Sequence, residues 1–543
     1  MKKLLLFLLM ILLSMYASAE AIEIDGIYYI LDSNIKKAGV TANPNEYMGD
    51  VVIPNSIIYD GIEYHVTSIH NSAFYNCSGL TSVTIGNSVT TIGSVAFGSC
   101  SRLTSVTIGN NVTTIGKASF DNCSNLTSIN IPESVTNIES GSFYNCSGLT
   151  TLIIPNSVTY IGSKAFSGCN NLTSVTIGNN VNHIGYEAFR YCSSLTSVHI
   201  SDISAWCNIY FEDIYSNPLY CAYHLYLNED EIINLIIPQG VTSINKTFIN
   251  CSSLISVSIP NSVTEIGSSS FEGCSNLVSI NIPNNVLSIG DHAFYGCRAL
   301  LSASIPSGVM TIGSSAFRGC ENITSITIPD GVSNIGDWTF SQCSNLTSIT
   351  IGNSVKSIGY RAFNGCSSLT SLSLPNNVTS IGERAFEYCS SLISVDIPKS
   401  ITSISDGAFY ECTGLRSAHI TDIAAWCNIS FGSDYTSNPL YYAHHLYLNE
   451  VEIKDLVIPN SVTSINNYTF TGCCGISSIS IPISVKSIGN GAFFGCKGLL
   501  SVSIPNSVSF IGDGAFAYCS GITAISIPNS VTSIKNSTFV GCI

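Results

Sequence analysis

Residues 77–100 read C-S-G-L-T-S-V-T-I-G-N-S-V-T-T-I-G-S-V-A-F-G-S-C, one cysteine to the next in 23 residues. In Leu80-Thr81-Ser82-Val83-Thr84-Ile85 the apolar side chains stand at the first, fourth and sixth places. They face inward, and the Val-x-Ile end alternates as a strand does. Gly86 follows the strand here, and fourteen of the seventeen prolines stand at the matching place elsewhere. A residue without an amide proton cannot extend a ladder, so the strand stops and the chain turns. Val89-Thr90-Thr91-Ile92 makes a second short extended side, and Gly93 suits a tight bend with positive φ. Ala96-Phe97-Gly98-Ser99-Cys100 then closes the winding as a corner.

The unit recurs. Cysteines fall at 77, 100, 123, 146, 169 and 192, at 251, 274, 297, 320, 343, 366, 389 and 412, and at 473, 496, 519 and 542. Phenylalanine stands three residues before each of these eighteen, and only five other Phe occur in the chain. The residue before that Phe is always Ala, Ser or Thr, which marks a place where a larger side chain would meet the neighbouring coil. Glycine occupies the bend in twelve of the eighteen repeats. One coil cannot bury its own inner face, so the coils must stack, Phe over Phe, at the strand spacing of about 4.8 Å. The period predicts a β-rich repeat solenoid, a right-handed stack of about 18–20 coils with a parallel β-sheet along one face. Its core is expected in pairs such as Phe97 and Cys100, Phe294 and Cys297, and Phe386 and Cys389.

The unit L-T-S-V-x-I-P-N-S-V-T-S-I-G-x-x-A-F-x-x-C resembles the BspA-like class of leucine-rich repeats, at eighteen successive registers. Asp25-Gly26-Ile27-Tyr28-Tyr29 and Gly49-Asp50-Val51-Val52-Ile53-Pro54 look like the amino-terminal cap of such proteins. The resemblance implies a secreted or surface protein of a host-associated bacterium, with protist relatives, adhering to host proteins or matrix. The chain departs from the general leucine-rich repeat in lacking an Asn after the strand.

Composition agrees with export. Lys2 and Lys3 precede an apolar run from Leu4 to Leu13, and Ala17-Ser18-Ala19 offers a cleavage site, so residues 1–19 read as a signal peptide. The run is too short for a transmembrane anchor. Only 10% of residues are charged, and without Lys2 and Lys3 the balance is 18 basic against 35 acidic, a formal charge of −17. That argues against nucleic acid and anionic membrane as partners. The expected organisation is a β cap over 20–70, repeats over 71–200, 232–420 and 453–543, and two islands at 201–231 and 421–452.

The islands are copies. Trp206-Cys207-Asn208 returns as Trp426-Cys427-Asn428, and His224-Leu225-Tyr226-Leu227-Asn228 as His445-Leu446-Tyr447-Leu448-Asn449. Each is read as an enlarged coil with a protruding hairpin. A sharper reading makes His199, Asp202 and Cys207 a nucleophilic constellation, with His419, Asp422 and Cys427 as its twin. No oxyanion site or nucleophile motif accompanies it, so the chain is read as non-enzymatic, without cofactor or metal. Eighteen equivalent cysteines with parallel Cβ vectors are expected as buried thiols, not bridges, whereas Cys207 and Cys221 could pair locally.

Aromatics recur in the variable places around the corner: Tyr75, Tyr144, Tyr191, Tyr295, Trp338, Tyr360, Tyr388, Tyr410 and Tyr518. On a rigid frame such side chains are interface anchors. The expected protein is therefore a monomeric, non-catalytic binding or adhesion scaffold for extracellular or host proteins. The alternative is a glycan-binding or nutrient-capture surface using the hydroxyl-rich strand face (Thr84, Thr107, Asn130, Ser258, Thr350).

Overall fold

The computed structural model describes residues 21–542, so the leader at 1–19 lies outside the described residues. The described chain divides into two compact units, residues 21–232 with 249–253, and residues 233–248 with 254–542.

The first unit opens with a cap of antiparallel strands, Ile22–Ile24, Ile27–Asp32 and Lys37–Val40, and a hairpin of Ser56–Tyr59 on Ile62–Ile69. One edge of Ile62–Ile69 takes Thr91–Ile92 in parallel, and winding begins there. Most later coils add one strand to each of two parallel sides. Met48–Ile53, Gly79–Ile85, Ser105–Thr107 and Ser128–Asn130 form the longer side. Thr91–Ile92, Thr114–Ile115, Asn137–Ile138 and Tyr160–Ile161 form the shorter one. Because the period is constant, register is residue for residue: Val83 lies opposite Val106, and Ile92 opposite Ile115. The second unit repeats the plan, with Ser325–Ile328 on Ser348–Ile351 and Asn334–Ile335 on Ser357–Ile358.

The corner is a third ladder built from turns. Phe97 N–H donates to the Ser119 carbonyl at 2.6 Å, and Phe120 N–H to Ser142 at 2.8 Å. In all eighteen corners the residues two before and two after Phe have positive φ, as in Val95 (56°) and Ser99 (61°), or Arg384 (53°) and Tyr388 (62°). The expected positive φ at Gly93 is absent, so that reading is corrected. Glycine is needed at the bend for space: a Cβ on Gly93 would lie 2.7 Å from the Asn71 backbone nitrogen, and one on Gly116 2.5 Å from the Ile92 carbonyl.

The core is the inner column of side chains. Phe97, Phe294 and Phe386 are fully buried, as are Cys100, Cys297 and Cys389. Adjacent rings lie nearly parallel, with centroids 5.2 Å apart for Phe120–Phe143 and 5.3 Å for Phe363–Phe386. These distances exceed the strand spacing because parallel rings slide into an offset stack. All 22 cysteines are free thiols, Cys207 and Cys221 included. Most corner sulfurs share one use. Cys100 donates its S–H to the Phe74 carbonyl of the preceding coil at 3.0 Å, and Cys297 to Phe271 at 3.1 Å. Outside, threonine hydroxyls reach back one coil to the same position's carbonyl, Thr104 to Thr81 at 3.0 Å and Thr173 to Thr150 at 2.9 Å.

Each island replaces one corner with helical turns. Ile203–Cys207 is a short helix whose first turn is capped by Asp202, with Oδ1 accepting from Ala205 N–H at 2.9 Å. Tyr210–Phe211 continues the short sheet, and Leu225–Leu227 continues the long one before turning back onto Asp230–Glu231 as a hairpin. The second copy repeats this with Ile423–Cys427, Ser430–Phe431, Leu446–Leu448 and Val451–Glu452. Trp206 and Trp426 are buried under their helices, and the Trp426 indole N–H donates to the Thr469 carbonyl at 2.9 Å.

Candidate functional site

The nine aromatics named from sequence sit around the corner turns. Tyr75, Tyr191, Tyr388, Tyr410 and Tyr518 are exposed, whereas Tyr144, Tyr295, Trp338 and Tyr360 are half-buried. Trp338, Tyr191, Tyr388 and Tyr518 occupy the left-handed places of the turn. The backbone of the corner, rather than chance, thus sets the direction of these side chains.

The structure gathers some of them and leaves others apart. In the second unit Arg318 lies over Tyr295 at 5.7 Å and over Trp338 at 4.3 Å. Arg361 lies over Trp338 at 4.9 Å and Tyr360 at 5.4 Å, and the two rings meet edge-on at 5.3 Å. A column Tyr295–Arg318–Trp338–Arg361–Tyr360 results, in which each guanidinium lies within cation–π distance of two rings. Arg361 Nε is 3.4 Å from Glu387 Oε2, a buried carboxylate that also accepts from Asn364 Nδ2 at 2.8 Å. Among the described residues Arg318 Nε has no hydrogen-bond partner. The next two rings, Tyr388 and Tyr410, lie 6.0 Å apart and line a hollow of about 590 Å³ with Arg384, Asp406 and Tyr435.

In the first unit a smaller version forms. Arg190 lies over Tyr191 at 4.7 Å and Tyr215 at 4.8 Å, and is paired with the buried Glu187. Tyr75 and Tyr144 stand on earlier coils, away from it. The arginines were not named from sequence, yet the signal was present. Arg318 follows Tyr295 by one period, and Arg361 follows Trp338 by one period, so each cation stacks in register on the ring of the coil before.

The sharper island reading is not assembled. His199 stacks on Tyr226 at 4.8 Å, and its Nε2 lies 3.1 Å from Ser197 Oγ. Asp202 is engaged as the helix cap, and burial pushes the Cys207 thiol up to about 12. The twin behaves alike: His419 stacks on Tyr447 at 4.8 Å, Asp422 caps Ala425, and burial pushes Cys427 up to about 12. A thiol held neutral beside a carboxylate committed to backbone is a poor nucleophile. Among the described residues no group of three or more His, Cys, Asp or Glu could hold a metal, and no helix is long and apolar enough to cross a membrane.

The BspA type leucine-rich repeat region, a six-copy description, matches residues 56–170, 222–347, 310–433 and 443–543. Among curated proteins no relative matches. Among solved structures, a leucine-rich repeat protein from Bacteroides ovatus is 28% identical, over 70% of this chain and 95% of its own, with a TM-score of 0.46. A leucine-rich cell surface protein from Faecalibacterium prausnitzii is 26% identical, over 76% of this chain and 98% of its own, with a TM-score of 0.41. With the 23-residue unit matched over most of its length, the chain belongs to the BspA-type leucine-rich repeat family.

Proposed function

We propose that this chain is an exported, non-catalytic scaffold of the cell surface or its surroundings that binds extracellular or host proteins through the aromatic–arginine side of its corners. The observation that supports this most is the column from Tyr295 to Tyr360. Trp, Tyr and Arg are the side chains that dominate protein interfaces, and here they are held in place before any partner arrives. Export rests on the leader at residues 1–19.

The test is binding of mature protein to a panel of purified extracellular-matrix and host-surface proteins. A bound partner should lose at least about tenfold in affinity on Trp338→Ala or Arg318→Ala, with circular dichroism unchanged. Absence of any binder, or binding indifferent to both variants, would overturn the assignment to this column.

A further inference from the structure

Cys474 stands outside the thiol ladder. Its neighbour Cys473 is the ladder residue, buried, with its thiol pushed up to about 12 by burial. Cys474 is half-buried, and its sulfur lies 3.6 Å from the Gly495 carbonyl. It shares a hollow of about 720 Å³ with His444, Lys497 and the rings of Tyr441, Tyr442, Phe494 and Tyr518. His444 is the left-handed C-cap of helix Leu440–Ala443 (φ 61°), and its Nδ1 lies 3.0 Å from the Gly472 carbonyl. With Nδ1 donating there, Nε2 carries the free lone pair.

The interaction between thiol and imidazole is mutual. Hydrogen bonding to His444 holds Cys474 below the ordinary thiol range, and the same contact raises His444. Ladder thiols such as Cys297, Cys320 and Cys366 go the other way, pushed well up by burial. The other copy of the duplicated segment lacks the pair: Tyr223 stands in the place of His444, Ser252 in that of Cys474, and Ser275 in that of Lys497. The fold therefore does not require these side chains.

We propose that Cys474 is a thiol–disulfide exchange site, served by His444 and Lys497, for small disulfides that carry carboxylates. His444 accepts the Cys474 proton, and the thiolate attacks one sulfur of the incoming disulfide. The new Sγ–S bond forms as the old S–S bond breaks, and the departing thiolate leaves with the bond pair and takes the proton back from the imidazolium. Cys474 is thereby oxidised to a mixed disulfide, and half of the incoming molecule is reduced to a thiol. Lys497 supplies the cation for a carboxylate, and the four rings wall the hollow. This site is independent of the column at Trp338.

The reduced full chain, in its native state, is treated with dithiobis-nitrobenzoate, an aromatic dicarboxylate disulfide, and the modified peptide is mapped by mass. One thiol equivalent should react at least about a hundredfold ahead of the rest, on Cys474, as expected where one thiol is activated and the others are buried. Cys474→Ser, a residue already tolerated at position 252, should abolish that phase. His444→Gln should slow it about tenfold and move its pH midpoint upward. Lys497→Met should slow oxidised glutathione while leaving the cationic disulfide cystamine unslowed. No fast equivalent, or one that survives Cys474→Ser on Cys221 or Cys542, overturns the proposal. An unchanged rate and midpoint in His444→Gln overturns the role of the imidazole, and equal effects on both small disulfides overturn the preference for carboxylates.

Discussion

Val95 shows how much the corner demands of single residues. Its φ of 56° is a left-handed conformation that disfavours β-branched side chains, and Trp338 and Tyr388 bear the same demand. Left-handed backbone costs an L-residue about 1–2 kcal/mol. Glycine removes that cost and loses about 0.5–1 kcal/mol to chain entropy. Val95→Gly should therefore raise unfolding stability by up to about 1 kcal/mol, read from urea midpoints. The bend glycines respond in the opposite direction. Gly116→Ala would press a Cβ to 2.5 Å from the Ile92 carbonyl. It should destabilise by about 1–3 kcal/mol, as overpacking does. Glycine thus serves two different ends in a coil, freedom of φ in the corner and absence of volume at the bend.

At the scale of one coil, the thiol repeats as strictly as the phenylalanine three residues before it. It fills the corner, donates to the Phe carbonyl one coil back, and stays protonated because burial disfavours the thiolate. Burial pushes Cys169 and Cys343 up to about 12 from an ordinary 9. A group whose folded value is raised contributes stability that is complete below the unfolded value and is lost as pH climbs through the folded one. Stability should hold up to about pH 9 and then fall by about 1.4 kcal/mol per pH unit for each such thiol up to about pH 12. Since many corners share this burial, the decline should be steep, and urea titrations between about pH 8 and 11 would show it. A flat profile would mean that the thiols ionise in place.

At the scale of the whole molecule, stability in a repeat chain is a sum of coils and the interfaces between neighbours. Removal of one full period is then a mild change. Deleting residues 499–521 joins Gly498 directly to Ile522, and the register is kept because Gly498 precedes Leu499 just as Gly521 precedes Ile522. The shortened chain should fold with the same β signal per residue and keep any binding that depends on Trp338, which lies outside the deletion. Deleting about half a period from the same coil should abolish folding of that region, because later strands would no longer present their apolar face to the core. Equal tolerance of both deletions would contradict a stack in register.

The period, the phenylalanine core and the duplicated islands were all legible in the sequence, because each is a local pattern repeated at fixed spacing and needs no knowledge of distant neighbours. The family followed from the same repeat. Backbone conformation in the corner was not legible: Arg361, Tyr388 and Val95 carry no mark of positive φ, which is imposed by the ladder to adjacent coils. Nor was the meeting of Arg318 with Trp338, which stand 20 residues apart and not one period, or of Cys474 with His444 in one hollow, because neither spacing is that of the repeat and only stacking sets them side by side. Sequence by itself determined the winding, and tertiary stacking decided which side chains meet on its outside.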